Sequence, residues 1–375
     1  MVKKRGNLFG AIAILAGTAI GAGYLGIPYV VAQSGFAIGL FHLVLIGIII
    51  LLINLYYGEI ILRSKEDHHL PGDAEKYLGR SGKLIVFIGV LFINYSALIA
   101  YLIGEGESIS NLFFNTSEYS LHIGILFWII MTALSYGGLK RVKKVEIFGV
   151  SIMALISMVL VLSLLKNIKI ENLTTFHFNN TLIPMGVIIF AYLAFSDLKE
   201  SSLVLKNNKL YKKTIIIGTI IPFILYSFLT LSVVGSLGID VPEIFTLGLN
   251  KFFISLGIIT MFTSFAALNT AFIDMYNFDF KISKNKALFL INITVLIFFI
   301  VIKLFNLVTF INIIGIAGAI SGGILAFIIL LINKKAKQES ERKPEYSIPI
   351  NWFIIAVISI IFVLAVVMEI ITLLR

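Results

Sequence analysis

The 375-residue chain contains no cysteine. Disulfides, thiolate nucleophiles and cysteine metal sites are therefore excluded. Charge is also scarce, at 13% of residues against 59% hydrophobic, and the mean hydropathy is +1.01. Such a chain has too little polar sequence to cover a water-soluble fold of this size. Enzyme signatures are missing: there is no GxSxG, HExxH or phosphate-binding GxxxxGK[ST]. Gly104-Glu105-Gly106 lies inside an apolar run and follows no strand. His68-His69 is a loop pair without metal-ligand spacing, and His42 stands alone as a packed polar residue.

What is present is a succession of long apolar segments. Eleven can be drawn, at about 8–33, 36–62, 84–109, 121–139, 145–165, 181–196, 214–237, 251–276, 287–305, 307–332 and 351–374. Most reach the ~20 residues that a membrane-spanning helix needs. Lys3, Lys4 and Arg5 precede the first, as in a signal peptide, but the run is long and no cleavage site stands before its glycines. The run is therefore expected to be a first span.

Placing the N-terminus inside and alternating sides puts 25 of the 30 Lys and Arg on inner segments. The other five are Lys166, Lys169, Lys251, Lys303 and Arg375. Excess Lys and Arg in cytoplasmic loops is the usual bias of membrane proteins. The same bias predicts an integral plasma-membrane protein with a cytoplasmic N-terminus and an outer C-terminus. The net charge of +10 is spread over six loops, so it fits attraction to membrane lipids and not a nucleic-acid surface.

The most informative stretch is GTAIGAGYLGIPYVVAQSGF, Gly17 to Phe36. Glycine weakens a helix by about 1 kcal/mol and an interior proline by about 3. Gly21, Gly23 and Pro28 thus predict an interrupted first span, and broken backbone survives in a bilayer only where it lines a cavity. The sixth segment, IPMGVIIFAYLAFSDLKESS, is short and predicts a second interruption around Phe190–Phe195. Paired interruptions in corresponding positions point to a secondary transporter site. Close helix packing through Gly17 and Gly21 is the competing reading. An odd count of eleven fits inverted repeats of five spans, about 8–165 and 181–332, plus an extra helix, 351–374, in one transmembrane domain.

These residues resemble a family. The first-span motif is similar to the opening of the amino acid/auxin permeases, within the amino acid–polyamine–organocation superfamily. FAYLAFSD resembles that superfamily's sixth-span stretch, with Ala194 where glycine is frequent, and TMFTSFAALNTAFIDMYNFD, from Thr260 to Asp279, looks like the eighth. The resemblance implies a LeuT-like five-plus-five inverted repeat and uptake of an amino acid coupled to sodium or protons. It is thus expected to be an all-α polytopic membrane protein of eleven transmembrane helices, with the first and sixth interrupted.

The chemistry of the breaks then suggests a site for a neutral amino acid. The N-terminal end of a half-helix offers free N–H groups and a positive dipole to a carboxylate, which designates Gly21, Ala22, Gly23 and Tyr24. Freed carbonyls of Phe190, Ala191 and Ala194 would take the ammonium. The resemblance adds Phe190 as a gate and an aromatic on span three, Tyr95. It also implies a sodium site, made of carbonyls of Gly17, Ile20 and Thr260 with hydroxyls of Thr263 and Ser264. In the alternative, those hydroxyls bond only within their own helix. In some proton-coupled relatives a lysine on span five replaces the ion, and 145–165 holds no Lys or Arg. Glu59, Glu146, Asp274 and Glu369 read as solvated helix ends, and Glu105 and Glu107 as the proton-relay candidates. No organic cofactor is called for; Na⁺ is the expected coupling ion. A neutral-amino-acid importer by cation symport is the leading reading, with sodium preferred, a proton-coupled permease the alternative, and a membrane enzyme or channel behind both.

Overall fold

The computed structural model describes residues 8–21, 23–65, 68–136, 155, 157–205 and 207–374. Among them every regular element is helical. The first apolar segment gives α1 (Leu8–Ala19) and α2 (Gly23–Ser34), bent by 53° to each other. Then follow α3 (Phe36–Arg63), α4 (Leu70–Phe114), α5 (Ser120–Tyr136) and α6 (Ser157–Asn167). The sixth segment is divided into α7 (Pro184–Tyr192) and α8 (Phe195–Val204). The last five helices are α9 (Tyr211–Leu237), α10 (Lys251–Phe280), α11 (Lys284–Phe305), α12 (Phe310–Ala336) and α13 (Trp352–Leu373).

Eight segments are long and apolar enough to cross a bilayer, or nine with the bent pair α1 and α2. The chain is an all-helical, multi-pass membrane protein. The described helices do not reach the expected eleven crossings. α5 has 17 residues, a rise of about 26 Å against a hydrocarbon core of about 30 Å. The first part of the fifth segment, 145–154, lies outside the described residues.

Sequence signals set several boundaries. Asn250 accepts N–H bonds from Phe252 and Phe253 at the start of α10. Thr309 and Asn312 form a reciprocal cap on α12, and Asn351 caps α13 through Ile354. Gly79, at φ 77°, kinks α4 and separates an arm of about nine residues from the span proper.

α12 is central: 72% of its most apolar stretch is buried, against 28% for the peripheral α11. Its residues Gly315 and Gly318 let α7 approach backbone to backbone, and Gly322 makes room for the Ile189 side chain. A Cβ on Gly318 would stand 2.1 Å from the Gly186 carbonyl oxygen and 2.7 Å from the Phe190 nitrogen. This contact fixes the N-terminal half of the sixth segment against the core and positions its break.

Candidate functional site

Each break is local in origin. α1 ends at Ala19, and the Gly21 amide turns back onto the Ala19 carbonyl at 2.9 Å. The helix restarts at Gly23, with the Tyr24 amide 3.3 Å from the Gly21 carbonyl. In the sixth segment Leu193 is extended (φ −67°, ψ 114°) and Ala194 lies at φ −135°, ψ 24°. Both have negative φ, so this break needs no glycine.

The two breaks meet. A Cβ on Gly23 would lie 2.6 Å from both Cα and Cβ of Ala191 and 3.0 Å from its nitrogen, so only glycine fits. Tyr226 of α9, fully buried, donates to the Ala19 carbonyl at 2.5 Å and also faces the Ala191 carbonyl at 3.1 Å. One phenol thus spans the C-terminal ends of α1 and α7. The Tyr24 hydroxyl lies beside the Thr260 side chain of α10, and its ring packs edge-on against Phe245 at 5.8 Å. The hydroxyl of Tyr101, on α4, stands 3.1 Å from where a Gly21 Cβ would be. Tyr24, Tyr101 and Tyr192 all lie within electrostatic reach of the Tyr226 hydroxyl.

The sequence-designated residues distribute as follows. Gly21, Gly23, Tyr24 and Ala191 come together at the crossing; Ala22 lies outside the described residues. The Phe190 carbonyl accepts the Leu193 amide at 3.3 Å and that of Ala194 the Asp197 amide at 3.2 Å. With two lone pairs each, both carbonyls can accept a further bond. The Phe190 ring is half-buried. Tyr95 faces α10, its hydroxyl 3.1 Å from that of Tyr276 and its ring 4.9 Å from Phe272. Tyr101, six residues further on, is the aromatic of α4 that reaches the first break.

On α10 the Thr260 hydroxyl donates to the Leu256 carbonyl at 2.9 Å. The Thr263 hydroxyl faces the carbonyls of Ile259 and Thr260 at 3.1 and 2.9 Å. Ser264 and Gly17 are half-buried, and Ile20 is buried with its amide on the Ala16 carbonyl at 3.2 Å.

Two helix-end acids are not solvated, contrary to the sequence reading. Glu59 is sealed by the loop after α12, which folds back over it. It takes Arg63 at 2.7 Å, Lys337 and Ser347 at 2.8 Å, and the Ile348 amide at 3.0 Å. Glu369 of α13 is buried and reaches inward to where Cβ atoms on Gly186 and Gly315 would be. Asp274 is partly exposed and pairs with Lys284 at 2.9 Å, and Glu146 lies outside the described residues. Glu107 is tied to Lys303 at 3.0 Å, whereas Glu105 is fully buried with no hydrogen bond to either oxygen among the described residues.

Near the C-terminal end of α3, a cavity of about 430 Å³ is lined by Arg63, Arg342, Lys343 and neighbouring serines. It belongs to the loop cluster around Glu59 and not to the breaks.

Comparison with known proteins adds a family. Residues 4–247 match the family model of the tryptophan/tyrosine permease family. The chain is 29% identical to Glutamine transporter 2 of Aliivibrio fischeri over 243 residues, covering 62% of this chain and 61% of that one. It is 25% identical to Tyrosine-specific transport system 1 of Haemophilus influenzae over 231 residues, 61% and 58% of the two chains. It is 27% identical to the Tryptophan-specific transport protein of the same organism over 265 residues, 63% and 60%. The matches span about three fifths of the length of these curated relatives. They correct the resemblance to the amino acid/auxin permeases. The motif that carried it, Gly17 to Phe36, lies within the matched 4–247 and encodes a broken helix, a device not peculiar to one family.

Proposed function

This chain belongs to the tryptophan/tyrosine permease family, a family of transporters and not of enzymes, and from that premise we propose that it imports a neutral amino acid with an aromatic or other apolar side chain. The observation that carries the proposal is the crossing itself, where two interrupted helices touch at Gly23 and Ala191. The carboxylate binds the amides that open α2, around Gly21–Tyr24, with the Tyr101 hydroxyl beside them. The ammonium binds the carbonyl ends of the sixth segment at Phe190, Ala191 and Ala194. No fixed charge stands among these residues, and Tyr24, Phe245, Tyr101 and Phe265 supply apolar rings. The relatives are named for glutamine, tyrosine and tryptophan, all neutral.

Transport proceeds by alternating access in a LeuT-like arrangement of inverted repeats, with eleven crossings and the N-terminus inside. A coupling cation, preferentially sodium, binds between the first break and α10, at Gly17, Ile20, Thr260, Thr263 and Ser264. The approach of Tyr24 to Thr260 supports this placement, because it brings the first break onto α10. Thr260 and Thr263 turn their hydrogens to helix carbonyls, which leaves oxygen lone pairs for a hard cation. Glu105 favours a second reading, proton coupling, since a carboxyl buried inside a span with no hydrogen-bond partner among the described residues is suited to carrying a proton.

A thermal-shift screen of the twenty amino acids, with and without sodium, tests the proposal. Tryptophan, tyrosine, phenylalanine or glutamine raises the melting temperature, and more so with sodium. Stabilisation by charged amino acids alone contradicts the site.

A further inference from the structure

Tyr226 went unnoticed in the sequence, yet it occupies the point where the two broken helices end. Ala19 is the last residue of α1, and Ala191 is next to last in α7. Carbonyls in a last helical turn lack intrahelical partners and lie at the negative end of the helix dipole. The Tyr226 hydroxyl has one proton to share between them. At 2.5 Å the Ala19 carbonyl takes most of it, and the Ala191 carbonyl at 3.1 Å receives the weaker branch.

That division has a chemical consequence. The strong bond to Ala19 aims the phenol and leaves its oxygen lone pairs free to accept. The Ala191 carbonyl keeps unused acceptor capacity 3.1 Å away. Two acceptors thus converge beside the Gly23–Ala191 contact in a fully buried setting, where the charged or ionisable groups that act on the Tyr226 hydroxyl among the described residues are Tyr24, Tyr101 and Tyr192. The donor that matches such a pair is a compact cation with several N–H groups.

We propose that Tyr226 is a specificity-determining residue that reads the α-amino group of the substrate. Its oxygen and the Ala191 carbonyl accept two N–H bonds of the ammonium, while its own proton stays on Ala19. The ammonium reaches this pair when the Gly23–Ala191 contact opens. A substrate with a hydroxyl in place of the amino group can satisfy only one of the two acceptors. The assignment rests on the proposed transport of neutral amino acids and adds the group that rejects their deaminated analogues.

The test compares L-tryptophan with indole-3-lactate, and L-tyrosine with 4-hydroxyphenyllactate, on the purified full chain. Wild-type protein prefers the amino acid. In Tyr226→Phe the ring and its packing remain, and the preference falls by roughly 10- to 100-fold, the worth of one hydrogen bond to a charged group. Affinity for the hydroxy acid changes little. A merely structural role weakens both ligands equally, so a preference within twofold of wild type overturns the assignment. If Tyr226→Phe does not fold, 3-fluorotyrosine at position 226 serves instead. Its ¹⁹F resonance shifts with saturating L-tryptophan and not with indole-3-lactate; equal shifts overturn the assignment. Absence of any amino acid binding to wild type overturns the transport reading and this assignment together. Binding with an unchanged preference overturns the assignment alone.

Discussion

Gly23→Ala is the smallest change that separates the two broken helices. The added methyl would stand 2.6 Å from Cα and Cβ of Ala191 and 3.0 Å from its nitrogen, where ordinary contact begins near 3.4 Å. Two of these atoms are backbone, and one residue earlier the same helix is held by Gly318 of α12, where a Cβ would stand 2.7 Å from the Phe190 nitrogen. The overlap cannot be relieved by a rotamer change. Overpacking of this kind costs about 1–3 kcal/mol. The same methyl projects into the space the ammonium enters, and a steric cost of that size in the occupied site weakens substrate binding by roughly 5- to 150-fold, at tenfold per 1.4 kcal/mol. Gly26→Ala is the internal control. Its methyl would also meet an atom at 2.6 Å, but that atom is Cδ1 of Ile311, the far end of a flexible side chain. Equilibrium binding of L-tryptophan is measured for both variants, with melting temperatures to verify folding. Binding collapses in Gly23→Ala and stays within about threefold of wild type in Gly26→Ala. Equal, near-wild-type affinities refute the placement of the site at the crossing.

Other consequences are as direct. Glu59→Gln strips both ion pairs from a fully buried carboxylate; breaking a buried pair costs about 3–5 kcal/mol, and less here because Arg63 and Lys337 reach water, so the melting temperature drops by several degrees. Asp73, on the arm preceding the Gly79 kink, is pushed from 3.8 up to about 7 by burial, against the pull of Lys199, His68, Tyr57 and Lys76. A pKa raised on folding means stability present below pH ~4 that is lost as pH rises through about 7, so the melting temperature declines from pH 5 to 8 and Asp73→Asn flattens that slope. Single cysteines at the exposed Lys166 and Lys343 test the orientation on a cysteine-free background. An impermeant thiol reagent applied outside labels position 166 and spares 343; the reverse pattern inverts the topology.

The breaks were legible because their physics is local. Gly21, Gly23 and Pro28 disfavour a continuous helix whatever surrounds them, and the sixth interruption, at Leu193–Ala194, falls inside the stretch read from the segment's shortness and its early polar residues. The partners of the breaks were not legible. Tyr226 and Tyr101 converge from other helices, and nothing local distinguishes them among 14 tyrosines. Tyr95 was chosen by analogy on α4, the helix that also carries Tyr101, but six residues is not a whole number of turns, so the two face different neighbours. Glu59 and Glu369 were misread because helix-end position says nothing about a loop that folds back or a cleft between glycines. The stripe Gly315, Gly318, Gly322 did carry that second signal, in its spacing of three and four residues.

Solute accumulation is the most direct test of transport at the crossing. Purified protein is reconstituted into sealed vesicles, and labelled L-tryptophan or L-tyrosine uptake is followed under a sodium gradient, a proton gradient, or neither, in wild type and in Gly23→Ala. The account predicts accumulation above the external concentration under an imposed cation gradient, abolished in Gly23→Ala. Sodium as the coupling ion requires sodium alone to suffice and Thr263→Ala with Ser264→Ala to remove it; a proton gradient alone, lost in Glu105→Gln, selects the second reading. Uptake that never exceeds equilibration under either gradient, or that survives undiminished in Gly23→Ala, contradicts the account.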